Sequence, residues 1–191
     1  MNFATIARLN LPFPEQTEQK LEIFVTLLLQ WNKTHNLTGA TTPERVYEFL
    51  YDSFYPMTLI PKPIRVLDVG SGAGFPGIAL AILYPDVHFD FVEPLHKRIA
   101  FLNFVKIKAK LKNVTLHTCR IEKLDVSTYD LITSKAVMGA NLLYSLSEPF
   151  MDDKSKILMY KGRNTADETE GLANIELFDT AHSRYLLIGK N

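Results

Sequence analysis

Between Glu15 and Asn32 the apolar residues Leu21, Phe24, Val25, Leu28 and Leu29 recur three and four positions apart, the spacing of one buried helical stripe. A second stripe, Val46, Phe49, Leu50 and Phe54, follows Thr42 and Pro43, a capping residue and a proline suited to a first helical turn; it stops before Pro56. The proline-rich IPKPI at residues 60–64 then marks a boundary. Beyond it the period changes. RVLDVG, HFDFVE, VTLHTC, YDLITSKA, KILMYKG, IELFDTA and RYLLIG read as strands, with helical stretches near residues 76–84, 95–111 and 139–150 between the early ones. Strand alternating with helix predicts crossover units and a mostly parallel sheet. Only residues 181–184 separate the last two strands, too few for a crossover, so those strands are expected to form an antiparallel hairpin. The expected fold is α/β: a doubly wound, seven-stranded, mostly parallel sheet ending in that hairpin, with a helical extension over residues 1–60 and one compact unit over residues 61–191.

Composition narrows the class. A chain of 191 residues, 47% hydrophobic and 22% charged, is long enough for one domain with a sizeable core. The apolar run GIALAILY falls far short of the roughly 20 residues a membrane span needs, and MNFATIARLNLPFPEQ has no signal-peptide core. The expectation is a soluble, cytoplasmic protein without membrane contact. A lone cysteine, Cys119, excludes an internal disulfide and a thiolate-rich metal site; it reads as a buried strand residue, and no metal is expected. Lys plus Arg equals Asp plus Glu at 21 each, so any attraction to a polyanion must come from local clustering.

RVLDVGSGAGFPG, residues 65–77, carries the candidate chemistry. A doubly wound sheet binds ligands at the carboxyl ends of its strands, where the first strand turns into the first helix. Gly70, Gly72 and Gly74, with Ser71 between the first two, let the backbone turn tightly and approach a ligand, while Pro76 suits the start of the following helix. GAGFPG satisfies the dinucleotide pattern G-x-G-x-x-G, which alone is a weak match. Asp68, two residues before Gly70, is read as pointing its charge into the cleft, where it would repel a pyrophosphate and attract the ammonium and sulfonium of S-adenosylmethionine. Glu93, at the end of the next strand, is placed to accept hydrogen bonds from ribose hydroxyls of either cofactor. In CRIEKL, Ile121 is placed to lie against an adenine and Glu122 to meet its amino group.

Together, DVGSGAGFPGIALAILYPD, FVEPLHKRIAFL, CRIEKL, SKA and YKG, preceded by QWNKTHNLTG and LYDS, resemble the bacterial small-subunit ribosomal RNA guanine-N7 methyltransferases, the RsmG family once called glucose-inhibited division protein B. The resemblance spans roughly residues 20–162, and the pairing of WNK..NLTG with GFPG is specific to that family. It implies a class I, Rossmann-like methyltransferase fold with an N-terminal helical extension, S-adenosylmethionine as cofactor, and methylation of N7 of one guanine in 16S ribosomal RNA. The expected partner is therefore 16S RNA within the small ribosomal subunit, met by a monomer. Carried over, the family's cofactor positions fall on Gly70, Phe75, Ile121, Glu122 and Lys135, and its basic cleft residues on Lys97, Arg98, Arg120, Lys135 and Lys161. Lys135 stands where the family usually has arginine, and Phe49 where it usually has histidine.

Guanine N7 carries an exposed lone pair and no proton, so transfer from a sulfonium is an in-line displacement that needs no general base. Catalysis is then positioning, for which Lys135, Lys161 and Arg120 are the candidates. The chain lacks the Asp-Pro-Pro-aromatic motif of amino-group methylation, and Cys119 lacks the preceding proline of a cytosine C5 nucleophile. Between Lys97 and Lys123 eight lysines and arginines oppose Glu122 alone, a local excess suited to RNA. Phe75 and Tyr160 are candidates to stack on an unstacked base. Three other readings stay open: a class I methyltransferase of small molecules or protein side chains, an inactive S-adenosylmethionine-binding module, and a nicotinamide oxidoreductase.

Overall fold

The computed structural model describes residues 1–162, 169, 171–180 and 183–190. Its strands are β1 (Arg65–Val69), β2 (His88–Val92), β3 (Val114–His117), β4 (Leu131–Lys135), β5 (Lys156–Gly162), β6 (Ile175–Asp179) and β7 (Ser183–Gly189). They form a seven-stranded sheet in the order β3-β2-β1-β4-β5-β7-β6. The first five are parallel; β7 enters antiparallel between β5 and β6, so the expected hairpin forms with its second strand inside the sheet. Residues 181 and 182, between β6 and β7, lie outside the described residues. Strand order reverses between β1 and β4, and the crevice at their carboxyl ends is where a sheet of this topology takes its ligand.

The helices are α1 (Phe3–Ala7), α2 (Thr17–His35), α3 (Pro43–Phe54), α4 (Gly77–Leu83), α5 (His96–Lys108) and α6 (Ala140–Ser147). Thr42 caps α3, its hydroxyl accepting the Arg45 amide at 3.3 Å, and Pro43 opens the helix. By contrast, Pro76 stands at the cap of α4 and Gly77 is its first residue. The five-residue α1, capped by Asn2, is too short to show a period and was not expected from the sequence.

Alternation along the strands decides what each helix covers. Val66, Phe89, Phe91, Leu131 and Leu158 face a core shared with Phe24, Leu28, Leu50 and Phe54 of α2 and α3 and with α4 and α5. Leu67, Val69, Ile132, Ile157 and Met159 face the other core, closed by Leu143 of α6 and by Phe150. The N-terminal helices therefore share one apolar layer with the sheet. By the same parity, Asp68, Thr133 and Lys135 fall on the side of the helical extension.

A charge network ties β1, β2 and β3 together on the other face of the sheet. Asp90, 4% exposed, accepts Arg65 Nη2 at 2.8 Å, His117 Nε2 at 2.7 Å and the Tyr129 hydroxyl at 3.2 Å. Burial pushes its carboxyl up, but His117 and Arg65 outweigh that and hold it below the ordinary 3.8. Its stabilisation is thus present above about pH 4 and is lost as pH falls through the depressed folded value. Asp90→Asn will lower stability by about 1–3 kcal/mol at pH 7, read by urea unfolding. An unchanged midpoint there would refute the network's role.

Candidate functional site

Three strand ends converge on one cavity of about 530 Å³, within the range of small-molecule sites. After β1 the chain turns at Gly70 (φ 71°), where a Cβ would fall 2.6 Å from Val137, so a side chain there meets both strain and a wall. Gly72 and Gly74 also take positive φ. Gly70, Ser71, Gly72 and Phe75 line the cavity, whereas Gly74 packs against Phe24 and Ile78 behind it. After β2 comes Glu93, 1% exposed, whose Oε2 accepts the Gly72 amide at 3.0 Å and Arg98 Nη1 at 3.4 Å, and whose Oε1 accepts the Leu95 amide at 3.0 Å. Glu93 thereby ties the glycine loop to the start of α5, and it lines the cavity beside Arg98. A carboxylate offers about four lone-pair sites, which leaves acceptor capacity toward the cavity.

The remaining wall comes from β4 and the helical extension. Lys135 lines the cavity, and its Nζ is buried with no hydrogen-bond partner among the described residues. The ammonium lies 4.5 Å from the Phe49 ring centre and 5.5 Å from that of Phe75. Burial pushes Lys135 down to about 8, with Asp52 raising it and Arg45 lowering it further. The two departures from the family pattern, Lys135 and Phe49, are thus in contact. Leu37 and Thr38 complete this side, and Asn32 holds their loop: Nδ2 donates to the carbonyls of Thr38 at 2.8 Å and Ala40 at 3.0 Å, and Oδ1 accepts the Thr38 amide at 2.9 Å. WNK..NLTG is, physically, a helix end clamped to a loop that forms the cavity wall.

Several expected site residues stand elsewhere. Asp68 does not line the cavity. Strand parity turns its carboxylate into the helical layer, where Oδ1 accepts the Thr133 hydroxyl at 2.7 Å and Oδ2 lies beside the start of α4. Burial pushes it up to about 6 against the lowering effect of Thr133, Ser71 and the Gly77 amide. A Cβ on Gly77 would fall 2.5 Å from Oδ2, so glycine is needed there for Asp68 to sit under the helix. Ile121, 3% exposed, packs into the α6-side core, and the exposed Arg120 and Glu122 beside it do not line the cavity. Lys97 is exposed and donates to the His35 carbonyl at 2.9 Å, closing α5 on α2.

A second, smaller cavity of about 190 Å³ adjoins the first across Phe49, Lys135 and Ala136, which line both. Its other walls include Arg45, Asp52, Tyr160 and Lys161. Tyr160 is 4% exposed and donates its hydroxyl to the Ser53 carbonyl at 3.1 Å. Arg45 and Asp52 were not singled out as site residues from the sequence; they stand two turns apart on α3, and Asp52 lies within LYDS, next to the Ser53 carbonyl that accepts from Tyr160 of β5.

Paired cavities at the switch point of a doubly wound sheet suit a donor and an acceptor. The family model described as rRNA small subunit methyltransferase G matches residues 17–187. The chain belongs to this family. A Ribosomal RNA small subunit methyltransferase G of Wolinella succinogenes is 42% identical over 177 residues, covering 93% of this chain and 92% of that one. Its counterpart in Helicobacter hepaticus is 41% identical over 175 residues, covering 90% and 95%. Among solved structures, a putative O-methyltransferase from Klebsiella pneumoniae superposes with a TM-score of 0.62 at 14% identity over 88% of this chain and 90% of that one. A MtNAS variant in complex with S-adenosylmethionine gives 0.57 at 13% identity, covering 89% and 74%. At such identities these two establish the fold, a Rossmann-like methyltransferase sheet. The matched residues include the glycine loop, the clamped NLTG loop and Lys135. No helix among the described residues is long and apolar enough to cross a membrane.

Proposed function

We propose that this protein transfers a methyl group from S-adenosylmethionine to N7 of one guanine in 16S ribosomal RNA. The observation that carries the reading is the pair of cavities sharing Phe49, Lys135 and Ala136, one on the glycine loop and one opening beside Lys161. S-adenosylmethionine suits the larger cavity: Glu93 offers a carboxylate to its ribose, Gly70, Ser71 and Gly72 allow close backbone approach, and Phe75 supplies apolar wall. When bound, it supplies an electrophilic methyl on a sulfonium. Asp68 acts here as a positioning residue through the start of α4, and Ile121 and Glu122 form a 3₁₀ turn after β3, with Ile121 in the α6-side core. Gly74 holds the loop against Phe24.

N7 attacks with its lone pair while the methyl–sulfur bond breaks, so the chain supplies no acid or base and works by alignment and exclusion of water. Lys135 and Lys161 border the acceptor side, and Lys97, Arg98 and Arg120 lie on the basic flank that would meet RNA phosphates. The partner is the small ribosomal subunit, met by a cytoplasmic monomer, with residues 1–60 as the helical extension and the remainder as the catalytic unit.

The test is transfer of labelled methyl to small subunits that lack the modification, with digestion of the product. Expected is 7-methylguanosine at one 16S site. Label absent from RNA, with cofactor bound, would overturn the substrate and favour a small-molecule acceptor. RNA affinity will also fall with salt at a log-log slope of about −0.7 per phosphate contact; a flat response would exclude phosphate contacts.

A further inference from the structure

We propose that the smaller cavity receives the acceptor guanine and that Asp52 selects it, its carboxylate accepting hydrogen bonds from N1–H and the exocyclic 2-amino group. The inference rests on the methyl-transfer reading above and assigns the base-recognition group within it.

The cavity's chemistry is asymmetric. Asp52 is the one carboxylate among its described lining residues, while Arg45, Lys135 and Lys161 supply donors. Guanine is equally asymmetric: N1–H and the 2-amino group donate along one edge, and O6 and N7 accept along another. An ionised carboxylate is an acceptor only, so it matches the donating edge of guanine and meets an acceptor, N1, on adenine. With that edge on Asp52, O6 and N7 lie toward the Lys135 wall, which is the boundary with the larger cavity. The buried Lys135 Nζ, without a hydrogen-bond partner among the described residues, is then a donor without an acceptor beside the place where O6 comes to rest. Tyr160 closes the cavity floor; its hydroxyl is already committed to Ser53, which leaves its ring as apolar wall.

Charge flow favours the same orientation. As the N7–carbon bond forms and the carbon–sulfur bond breaks with its electron pair left on sulfur, the positive charge leaves the sulfonium and enters the purine. No proton moves. N1–H becomes a stronger donor as that charge develops, so a carboxylate holding it binds the transition state more tightly than the neutral base. Asp52 is held in place by the Tyr185 hydroxyl, which donates to Oδ1 at 3.4 Å, leaving Oδ2 and the second lone pair of Oδ1 for the two donors of the base.

The experiment compares wild type with Asp52→Asn on small subunits whose target position carries either guanosine or inosine, which lacks the 2-amino group. Wild type is expected to lose about tenfold in kcat/KM on inosine, roughly one charge-assisted hydrogen bond. D52N is expected to be at least tenfold slower than wild type on guanosine and to distinguish the two bases less than threefold. Its melting temperature and its affinity for S-adenosylhomocysteine should match wild type. An inosine penalty equal in wild type and variant would overturn the assignment, because a structural role would slow both substrates alike. Absence of transfer by wild type to guanosine subunits would instead remove the methyl-transfer reading, and this inference with it.

Discussion

Lys135→Met will raise the melting temperature of this protein by roughly 5–10 °C and lower methyl transfer by about 100-fold. Both effects come from one atom. Lys135 Nζ is buried between Phe49 and Phe75 without a hydrogen-bond partner among the described residues, and its pKa falls from the ordinary 10.5 to about 8. That lowering corresponds to about 3 kcal/mol of destabilisation from keeping the amine charged at neutral pH. The cation–π contacts soften the cost without cancelling it. Methionine retains the length and apolar stem of lysine and brings no charge, so it fills the space between the rings. The pH dependence is distinctive. Below about pH 8 the folded and unfolded chains both carry the proton and the full cost is felt. Between about 8 and 10.5 the folded chain has released it and the unfolded chain has not, so wild type gains stability as pH rises and the gap to the variant closes. Urea unfolding of both proteins at pH 7 and pH 10 reads this directly. A variant that is no more stable at pH 7, or a gap unchanged by pH, would mean that the ammonium is solvated in the folded protein. Transfer at the wild-type rate would remove Lys135 from the site.

The strands were legible because each is a short β-branched or aromatic run bounded by turn residues, and the period shift at residues 60–64 separates them from the two long amphipathic helices. The glycine loop was legible for a similar reason: Gly70, Gly72 and Gly74 all take positive φ, a backbone demand written locally in the sequence. Asp68 stands outside the cavity lining for a reason also local. Two positions before Gly70 it looks free to reach the cleft, but alternation along β1 sends it to the side of Val66 and α4, and its register partner Thr133 holds it there. Ile121 and Glu122 follow the same logic, since a turn of 3₁₀ helix sends Ile121 into the core and leaves Glu122 outside. Asp52 lies in the LYDS motif, but neither it nor Arg45 could be placed at the cavity by pattern. They join the cavity only because α3 packs beside β4 and β5, a relation of residues some 80 to 110 positions apart that no window of sequence contains.

Glu93→Ala will weaken binding of S-adenosylhomocysteine by about 100-fold or more, measured by calorimetry. The carboxylate has two tasks at once. It accepts the Gly72 and Leu95 amides, each at 3.0 Å, and so sets the distance between the glycine loop and the start of α5. It also offers its remaining lone pair to a ribose hydroxyl of a ligand in the larger cavity. Hydrogen bonds to a charged group contribute about 1.5–3 kcal/mol each, so loss of one ribose contact accounts for a roughly 10- to 100-fold change, and two orphaned amides loosen the loop further. Arg98, 3.4 Å away, would also lose its ion-pair partner and point an uncompensated cation at the cavity. Glu93→Gln separates the tasks, because its carbonyl oxygen still accepts one amide while its NH₂ cannot accept a ribose hydroxyl's proton. The glutamine variant should therefore keep the wild-type melting temperature within a few degrees and lose about tenfold in affinity. Alanine and glutamine variants that both bind as wild type would confine Glu93 to bracing the loop. A glutamine variant that melts normally and binds weakly would establish that the carboxylate itself meets the ligand.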